Sequence, residues 1–425
     1  MTMTREAVWW RGPWNRVLKG AASVGWRGMD VEADHLLACA QNETGLDDFG
    51  DWEFLEPMQL LLREFKACAR ADDSGRHVFF KYVLASLRTR LRIRAAIRAH
   101  PEIARMPVLA PLFIVGLPRT GTTLLQGLLA RVDGLRTPLG WETCIGDAPA
   151  GAAAAGVNME LLRARLHTGV VHALSPALAS VHEVGVMRPE ECNPLLMTSF
   201  RTPLLPWLLF DCPDYVDHVY ATRFRNAYEW HKLHLQVLAY RQPAATWVLK
   251  GPVHLASLDE LLRVYPDARV IFTHRDPVES IPSMGALTAC LRMLISPLQD
   301  RKAIGPSLLS TLLRMHEAAG VVREHWPIEA PRLIDVRYDE LVRDPEGTVR
   351  CILRHFDLPQ SHDLASSVAH YLRDNRQHRR GRHRYCSEDF GLDEREIRTL
   401  FQGELHWRGA DPSQEPVGGT SHARA

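Results

Sequence analysis

No two cysteines in this sequence stand in a Cys-x-x-Cys pair. The eight of them (Cys39, Cys68, Cys144, Cys192, Cys212, Cys290, Cys351 and Cys386) are scattered along 425 residues. That excludes the usual ligand spacing of a structural zinc site, and the chain is too long for a disulfide-stapled secreted domain, so a reducing cytoplasm is the expected setting. His and carboxylate residues do not cluster as a ligand set either, and no metal is expected. The N-terminal MTMTREAVWWRGPWNRV has no apolar core of a signal peptide. No uninterrupted apolar run reaches the roughly 18 residues of a membrane span. The longest candidate, 195–210 (LLMTSFRTPLLPWLLF), is interrupted by Arg201, Pro203 and Pro206. It reads as core, with the lining of a greasy pocket or a touch on a membrane surface as alternatives. Charge of one sign is also missing: the net is +1. Any anionic ligand must therefore be drawn by a local site, and nucleic acid is not an expected partner. No internal repeat is present.

What is there begins as helix. Within 30–105, Asp34 is placed to cap a helix through Leu36, Leu37 and Ala40. Residues 53–70 space Phe54, Met58, Leu61, Leu62 and Phe65 by threes and fours. Residues 78–99 carry Val83, Leu84, Leu87, Leu91, Ile93 and Ile97 among Arg88, Arg90, Arg92, Arg94 and Arg98, which read as a solvated face lying over core. From about residue 108 the character changes. PLFIVG (111–116), TWVLKG (246–251), ARVIFTHR (268–275) and PRLIDVRY (331–338) are short apolar runs separated by helical patterns. The alternation predicts an α/β fold, a mostly parallel sheet flanked by helices, with an N-terminal helical extension, and the loop at 116–123 makes it P-loop-type. The expected division is 1–105 as the extension, 106–408 as the main domain and 409–425 as a disordered polar tail.

The strongest local signal is LFIVGLPRTGTTLLQGLLA, 112–130. An apolar strand ends at Gly116 and a helical pattern starts near Thr122. The loop between them aims backbone N–H groups and a helix dipole at one point. Gly121 permits close approach of an anion, and Thr122 and Thr123 add hydroxyls. The Gly-x4-Gly spacing is that of an ATP-type phosphate loop, but Thr122 stands where its lysine would be, and the loop's cation is Arg119. A donor that does not need that lysine and its Mg²⁺ fits better than ATP. A plain strand-to-helix turn is the bland alternative.

A second signal lies in WVLKGPVHLASLDELLRVYPDARVIFTHRDPVESIPSM, 247–284. Arg275 ends a strand where open α/β sheets bind ligands, and Ser283 follows about two turns into the next helix. Together they can hold a second phosphate, or Arg275 simply pairs with Asp276 or Glu279.

The pair of motifs resembles the PAPS-dependent sulfotransferases (PAPS is 3′-phosphoadenosine 5′-phosphosulfate). The likeness is greatest to the bacterial group whose loop reads PRTGTT or PRSGTT, and more distant to the tyrosylprotein sulfotransferases. It extends through TGLDDFGD (44–51), LKGPVHL (249–255), VRYDELVRDP (336–345) and HRYCSEDFGL (383–392). The resemblance implies that Arg119, Thr120, Gly121, Thr122 and Thr123 hold the 5′-phosphosulfate and that Arg275 and Ser283 hold the 3′-phosphate. It also implies that the basic stretch 376–385, with Arg382 and Tyr385, closes over the nucleotide. The reaction implied is in-line sulfuryl transfer to an acceptor hydroxyl.

Such a transfer needs a base, alignment, and a cation at the leaving oxygen. Glu142, in PLGWETCIGD, is the expected carboxylate base; its Trp-Glu-Thr string resembles the segment carrying the base of the tyrosylprotein enzymes. His254, His182, Glu183, Glu190 and Glu191 are competitors. Lys250 is the expected stabiliser of the leaving oxygen, with an ion pair to Asp259 or Glu260 as its alternative. Trp141, Phe200, Trp207, Phe210, Tyr215, Tyr220, Phe224, Tyr228 and Trp230 either line a pocket for a lipid, phenol or glycoside acceptor or belong to the core. A P-loop kinase or NTPase, and a nucleotide-binding protein without turnover, remain the rival readings. A homo-oligomer is left open.

Overall fold

Three of the five strands carry buried apolar runs with no polar alternation, as strands covered on both faces must. The structure, a computed structural model, describes residues 4–143, 165–166, 168–169, 173–175, 178, 185–243, 246–298, 300–326, 332–360, 363–375 and 386–402. Strands β1 (Leu112–Gly116), β2 (Leu135–Arg136), β3 (Thr246–Lys250), β4 (Arg269–His274) and β5 (Leu333–Arg337) form one parallel sheet in the order β2-β3-β1-β4-β5. The two-residue edge strand β2 was not foreseen; it is too short to leave a periodic signal.

Successive residues of the central strands point to opposite layers. Phe113, Val115, Leu249, Val270 and Phe272 join one buried cluster with the N-terminal helices, and Leu112, Ile114, Val248, Ile271 and Val336 join another under the C-terminal ones. The chain leaves β1 toward β2 and β3 on one side and reaches β4 and β5 on the other, so the strand order reverses at β1. The crevice beyond its C-terminal end is where such sheets take ligands.

The N-terminal region packs on the sheet through helices α1 (Thr4–Ser23), α2 (Ala33–Thr44), α3 (Leu55–Cys68) and α4 (Asp73–Ala99). Two expectations are corrected here. Glu32, not Asp34, occupies the capping position of α2, and Asp34 sits in its first turn. The α4 arginines do not all lie on a solvated face. Arg90 is fully buried, stacked between Phe54 (4.3 Å) and Trp230 (3.6 Å), with an ion pair to Asp51 at 2.9 Å and donors to the carbonyls of Phe49 and Thr198. Apolar periodicity cannot reveal such a residue, because its partners are carbonyls from distant loops. Arg92 is also buried.

The helix Pro277–Ile295 is long and apolar enough to cross a membrane, which the reading of the sequence did not note, but 67% of it is buried inside the fold as core. The tail 409–425 lies outside the described residues.

Candidate active site

The site begins with two strand ends forced together. A Cβ on Gly116 would sit 2.3 Å from Thr273 Oγ1 and 2.5 Å from the Thr273 carbonyl oxygen, so only glycine lets β1 end against β4. The next turn is pinned there by Thr120. Its hydroxyl bonds to Thr273 Oγ1 at 2.6 Å and donates to the Leu117 carbonyl at 2.7 Å. Thr120 is thus spent inside the loop, and only its N–H can serve a ligand. Arg119 (φ +71°) and Gly121 (φ +90°) are both left-handed, which curls the loop around the start of α5 (Thr122–Leu129). The helix N-terminus, with its unpaired first N–H groups and positive dipole end, faces the loop.

The second strand end meets the first. Arg119 Nε donates to Ser283 Oγ at 3.1 Å, and Arg275 Nη1 donates to the Arg119 carbonyl at 3.1 Å. Arg275 also pairs with Glu279 at 3.0 Å, the bland alternative for this residue, and lies 4.2 Å over the ring of Tyr338. Asp276 does not pair with it but caps the following helix through the Val278 N–H. Tyr338 escaped the sequence reading. It follows β5 at the same sheet edge, and that position was its available signal.

Lys250 ends β3 and is 1% exposed. Its ammonium donates to Glu191 Oε1 at 2.5 Å and to Thr123 Oγ1 at 3.3 Å. Asp259 and Glu260, the expected alternatives, are bonded instead to Arg223 and Arg263. The Cys192 N–H donates to the Lys250 carbonyl at 2.8 Å, and Gln126 of α5 donates to the Glu190 carbonyl at 3.1 Å, so the segment PEEC (189–192) is stitched between β3 and α5. Glu190 is partly buried. Loss of water pushes its carboxyl pKa up, the Glu191 N–H donated to Oε1 opposes the rise, and the neighbouring Glu191 charge adds to it.

Arg119, Gly121, Thr122, Thr123, Glu190, Glu191, Arg275 and Tyr338 all line one cavity of about 1290 Å³; Lys250, Thr120 and Ser283 are not in its lining but bond to Thr123, Leu117 and Arg119 beside it. From this polar end it extends between α4 and the helix Pro277–Ile295, walled by Leu204, Leu205, Leu208, Leu209, Met284, Leu287 and Leu291. The 195–210 segment therefore supplies part of a greasy wall as well as core. Of the aromatic residues considered for the pocket, only Trp141 is in the lining; Phe200, Trp207, Phe210, Tyr215, Phe224, Tyr228 and Trp230 are core. The wall is leucine because its residues come from helical faces shared with the core.

Two expected bases sit elsewhere. Both oxygens of Glu142, which is 3% exposed, are engaged: Oε1 by Arg136 at 2.5 Å and Oε2 by the Leu139 N–H at 2.9 Å. Its neighbours Trp141 and Thr143 reach the cavity, but Glu142 is not in the lining. His254 is fully buried behind it, bonded through Nδ1 to the Tyr228 hydroxyl at 2.8 Å, and burial pushes its pKa down to about 3. A histidine so hard to charge is a poor proton acceptor. His182, Glu183, Arg382 and Tyr385 lie outside the described residues.

Known proteins resemble the chain at both levels. The curated Omega-hydroxy-beta-dihydromenaquinone-9 sulfotransferase Stf3 of Mycobacterium tuberculosis, and that of Mycobacterium bovis, are 27% identical over 273 residues, 62% of this chain and 67% of theirs. The crystal structure of sulfotransferase STF1 from Mycobacterium tuberculosis superposes with a TM-score of 0.76 at 28% identity, covering 88% of this chain and 98% of that one. STF9 from Mycobacterium avium gives 0.75 at 25% identity, over 88% and 96%. The model of the sulfotransferase family matches residues 111–363, more than half of the chain, from the start of β1 to beyond the helices that follow β5. The chain belongs to the sulfotransferase family and is an enzyme of that class.

Proposed function

We propose that the enzyme transfers a sulfuryl group from PAPS, in line, to the terminal hydroxyl of a long apolar acceptor, and that Glu190 is the general base. The carrying observation is that Arg119 and Arg275, from two adjacent strand ends, line the same cavity whose other end is a leucine-walled channel. The first subsite, made by the 119–123 backbone and the Thr122 and Thr123 hydroxyls, suits the 5′-phosphosulfate. The second, made by Arg275 and Ser283, suits a 3′-phosphate.

The chain fits this donor by its unpaired chemistry. The Ser280 hydroxyl, one helical turn before Ser283, is buried with no hydrogen-bond partner among the described residues. Tyr338 and the Arg119 carbonyl already orient the Arg275 guanidinium. The donor, when bound, supplies an activated sulfuryl group on a phosphate leaving group. Lys250, held between Thr123 and Glu191, neutralises charge gathering on the leaving oxygen. Glu190 accepts the acceptor's proton; its raised pKa makes it a stronger base than an ordinary carboxylate. The leucine wall excludes water, which strengthens both effects and protects the donor from hydrolysis. The relative Stf3 acts, by its name, on a hydroxylated menaquinone, and a prenyl-like chain is the kind of acceptor a leucine-walled channel fits.

Transfer of ³⁵S from labelled PAPS is expected to ω-hydroxylated long-chain alcohols and prenols, and not to sugars or short phenols. Labelling of sugars in preference to long-chain alcohols would overturn the acceptor reading, and tighter binding of ATP with Mg²⁺ than of adenosine 3′,5′-bisphosphate would overturn the donor. For Arg275→Ala, loss of a charged hydrogen bond worth about 1.5–3 kcal/mol predicts binding of that bisphosphate weakened by about 10–100-fold. The affinity for AMP, which lacks the 3′-phosphate, should stay unchanged by calorimetry. Equal losses for both nucleotides would mean that Arg275 shapes the loop rather than binding the 3′-phosphate. Gly121→Ala adds a Cβ 2.8 Å from Tyr338 Cδ2 at φ +90°. It should cost about 1–3 kcal/mol of stability in thermal melts and also weaken the nucleotide, because the Tyr338 ring under Arg275 must move.

A further inference from the structure

The tryptophans of this chain are unevenly placed: four of eleven, Trp9, Trp10, Trp14 and Trp26, fall within the first 26 residues. Residues 1–28 also hold five basic side chains (Arg5, Arg11, Arg16, Lys19, Arg27) against one acidic one, Glu6, a net of +4 in a chain whose total is +1. This segment includes α1, and α1 is fixed at the outer end of the leucine-walled channel. Arg11 holds Asp72 through Nε at 2.5 Å and Nη2 at 2.6 Å, and donates to the Leu294 and Ile295 carbonyls at 3.2 and 3.0 Å. Asn15 accepts from the Ser74 N–H at 2.8 Å. These bonds lay α1 across the first turn of α4 and the last turn of the helix Pro277–Ile295. The adjoining turns of those two helices, with Val78 and Lys81 on one and Leu291 and Leu294 on the other, line the channel.

A flank of α1 beside this contact is apolar and faces water. Trp14 (41% exposed), Val17 (58%) and Ala21 follow one another at steps of three and four, a single stripe, and Val24 (84%) lies in the turn just past the helix end. Trp26, 38% exposed, continues the stripe and packs on the ring of His77 at 5.3 Å; His77 itself lines the channel. Arg16 and Lys19 are exposed on the same helix. Tryptophan and short aliphatics with basic residues beside them are the chemistry of a helix lying in the headgroup layer of an anionic bilayer.

We propose that α1 and Trp26 form a docking face for an anionic lipid bilayer, which sets the channel's outer end on the membrane so that the acceptor enters from the lipid phase. The route of entry rests on the apolar-acceptor reading above; the docking face does not. Full-length protein is expected to cosediment with phosphatidylcholine vesicles containing phosphatidylglycerol, more weakly with pure phosphatidylcholine and more weakly as salt is raised. The double variant Trp14→Ser, Val17→Ser should bind about tenfold less or worse. Arg16→Gln with Lys19→Gln should lose only the phosphatidylglycerol-dependent part. Unchanged affinity for adenosine 3′,5′-bisphosphate in each variant reports that the fold is intact. In turnover, the Trp14 and Val17 variant should slow on a long-chain acceptor in vesicles and keep its rate on a water-soluble short-chain alcohol. Wild-type protein that ignores both vesicle types, or vesicle binding that survives the Trp14 and Val17 changes, overturns the proposal. So does a dimer, seen by light scattering without lipid, that these changes dissolve, since the face would then belong to a second copy. Vesicle binding that depends on Trp14 and Val17 in an enzyme that sulfates only soluble acceptors leaves the docking face standing and sinks the lipid acceptor alone.

Discussion

Glu190→Gln is expected to lower kcat by about 10²–10⁴-fold, the range for removal of a general base, while leaving the affinity for adenosine 3′,5′-bisphosphate unchanged. The amide keeps the shape of the side chain and can still accept from the Glu191 N–H, so positioning is preserved and only basicity is lost. Two further signs follow from the raised pKa of Glu190. A base must be ionised to act, so the acid limb of kcat should fall at a pH above the ordinary carboxylate range and vanish from the profile of any residual activity in the variant. The linkage runs the other way for stability. A carboxyl whose folded pKa is raised favours the fold fully below its unfolded pKa, and that contribution is lost as pH rises through the folded value. Glu190→Gln should therefore melt higher than wild type near pH 8, with the gain disappearing below about pH 4.5, where both side chains are neutral. A variant that is more stable and nearly inactive distinguishes a strained functional carboxylate from a structural one. Glu142→Gln should do the opposite. It cuts the ion pair of a buried carboxylate with a half-buried guanidinium, so it should lower the melting temperature and reduce kcat only in proportion to the folded fraction. Loss of kcat in Glu142→Gln with the melting temperature intact would return the role of base to Glu142.

The sequence carried the sheet because its signal is local. PLFIVG, TWVLKG, ARVIFTHR and PRLIDVRY are each bounded and apolar, and they coincide with β1, β3, β4 and β5 to within one or two residues. The tight turn from β1 into α5 was equally legible, since a strand, two glycines, hydroxyls and a helix lie in one stretch; the contact of Arg119 with Ser283 and of Arg275 with the Arg119 carbonyl joins it to the end of β4. What the sequence could not order was the set of carboxylates. Glu142, Glu190 and Glu191 are all acidic residues in loops, and what separates them is contact. Arg136, six residues before Glu142, takes that carboxylate; Lys250, 59 residues after Glu191, takes that one; and neither takes Glu190. Ion pairs across such separations leave no periodicity. Arg90 failed for the same reason, as its burial depends on carbonyls at Phe49, Asp51 and Thr198. The α1 helix went unread because Gly12 and Pro13 interrupt its pattern, and its hold on the fold is the polar contact of Arg11 with Asp72.

Lys250→Met should reduce kcat by about 10²–10³-fold, the cost of removing one preorganised group that meets developing charge, and should destabilise the fold at the same time. Methionine fills much the same volume, so the loss reports charge rather than a cavity. The lysine side chain is 2% exposed and that of Glu191 is 21% exposed. Removing the ammonium thus leaves the Glu191 carboxylate without its cation, with Asn193 Nδ2 still donating to Oε2 at 2.9 Å and with limited access to water. Breaking a fully buried pair costs about 3–5 kcal/mol, and the exposure of Glu191 should bring the figure below that range. The two effects separate in a cycle. Adding Glu191→Gln to Lys250→Met removes the stranded charge and should restore most of the melting temperature, because a neutral pair in an apolar setting is tolerated. It should restore none of the turnover, because nothing then faces the leaving oxygen beside Thr123. If the double variant regained kcat along with stability, Lys250 would be a strut for the Glu191 loop, and the charge that meets the leaving group would have to come from Arg119 on the phosphate loop itself.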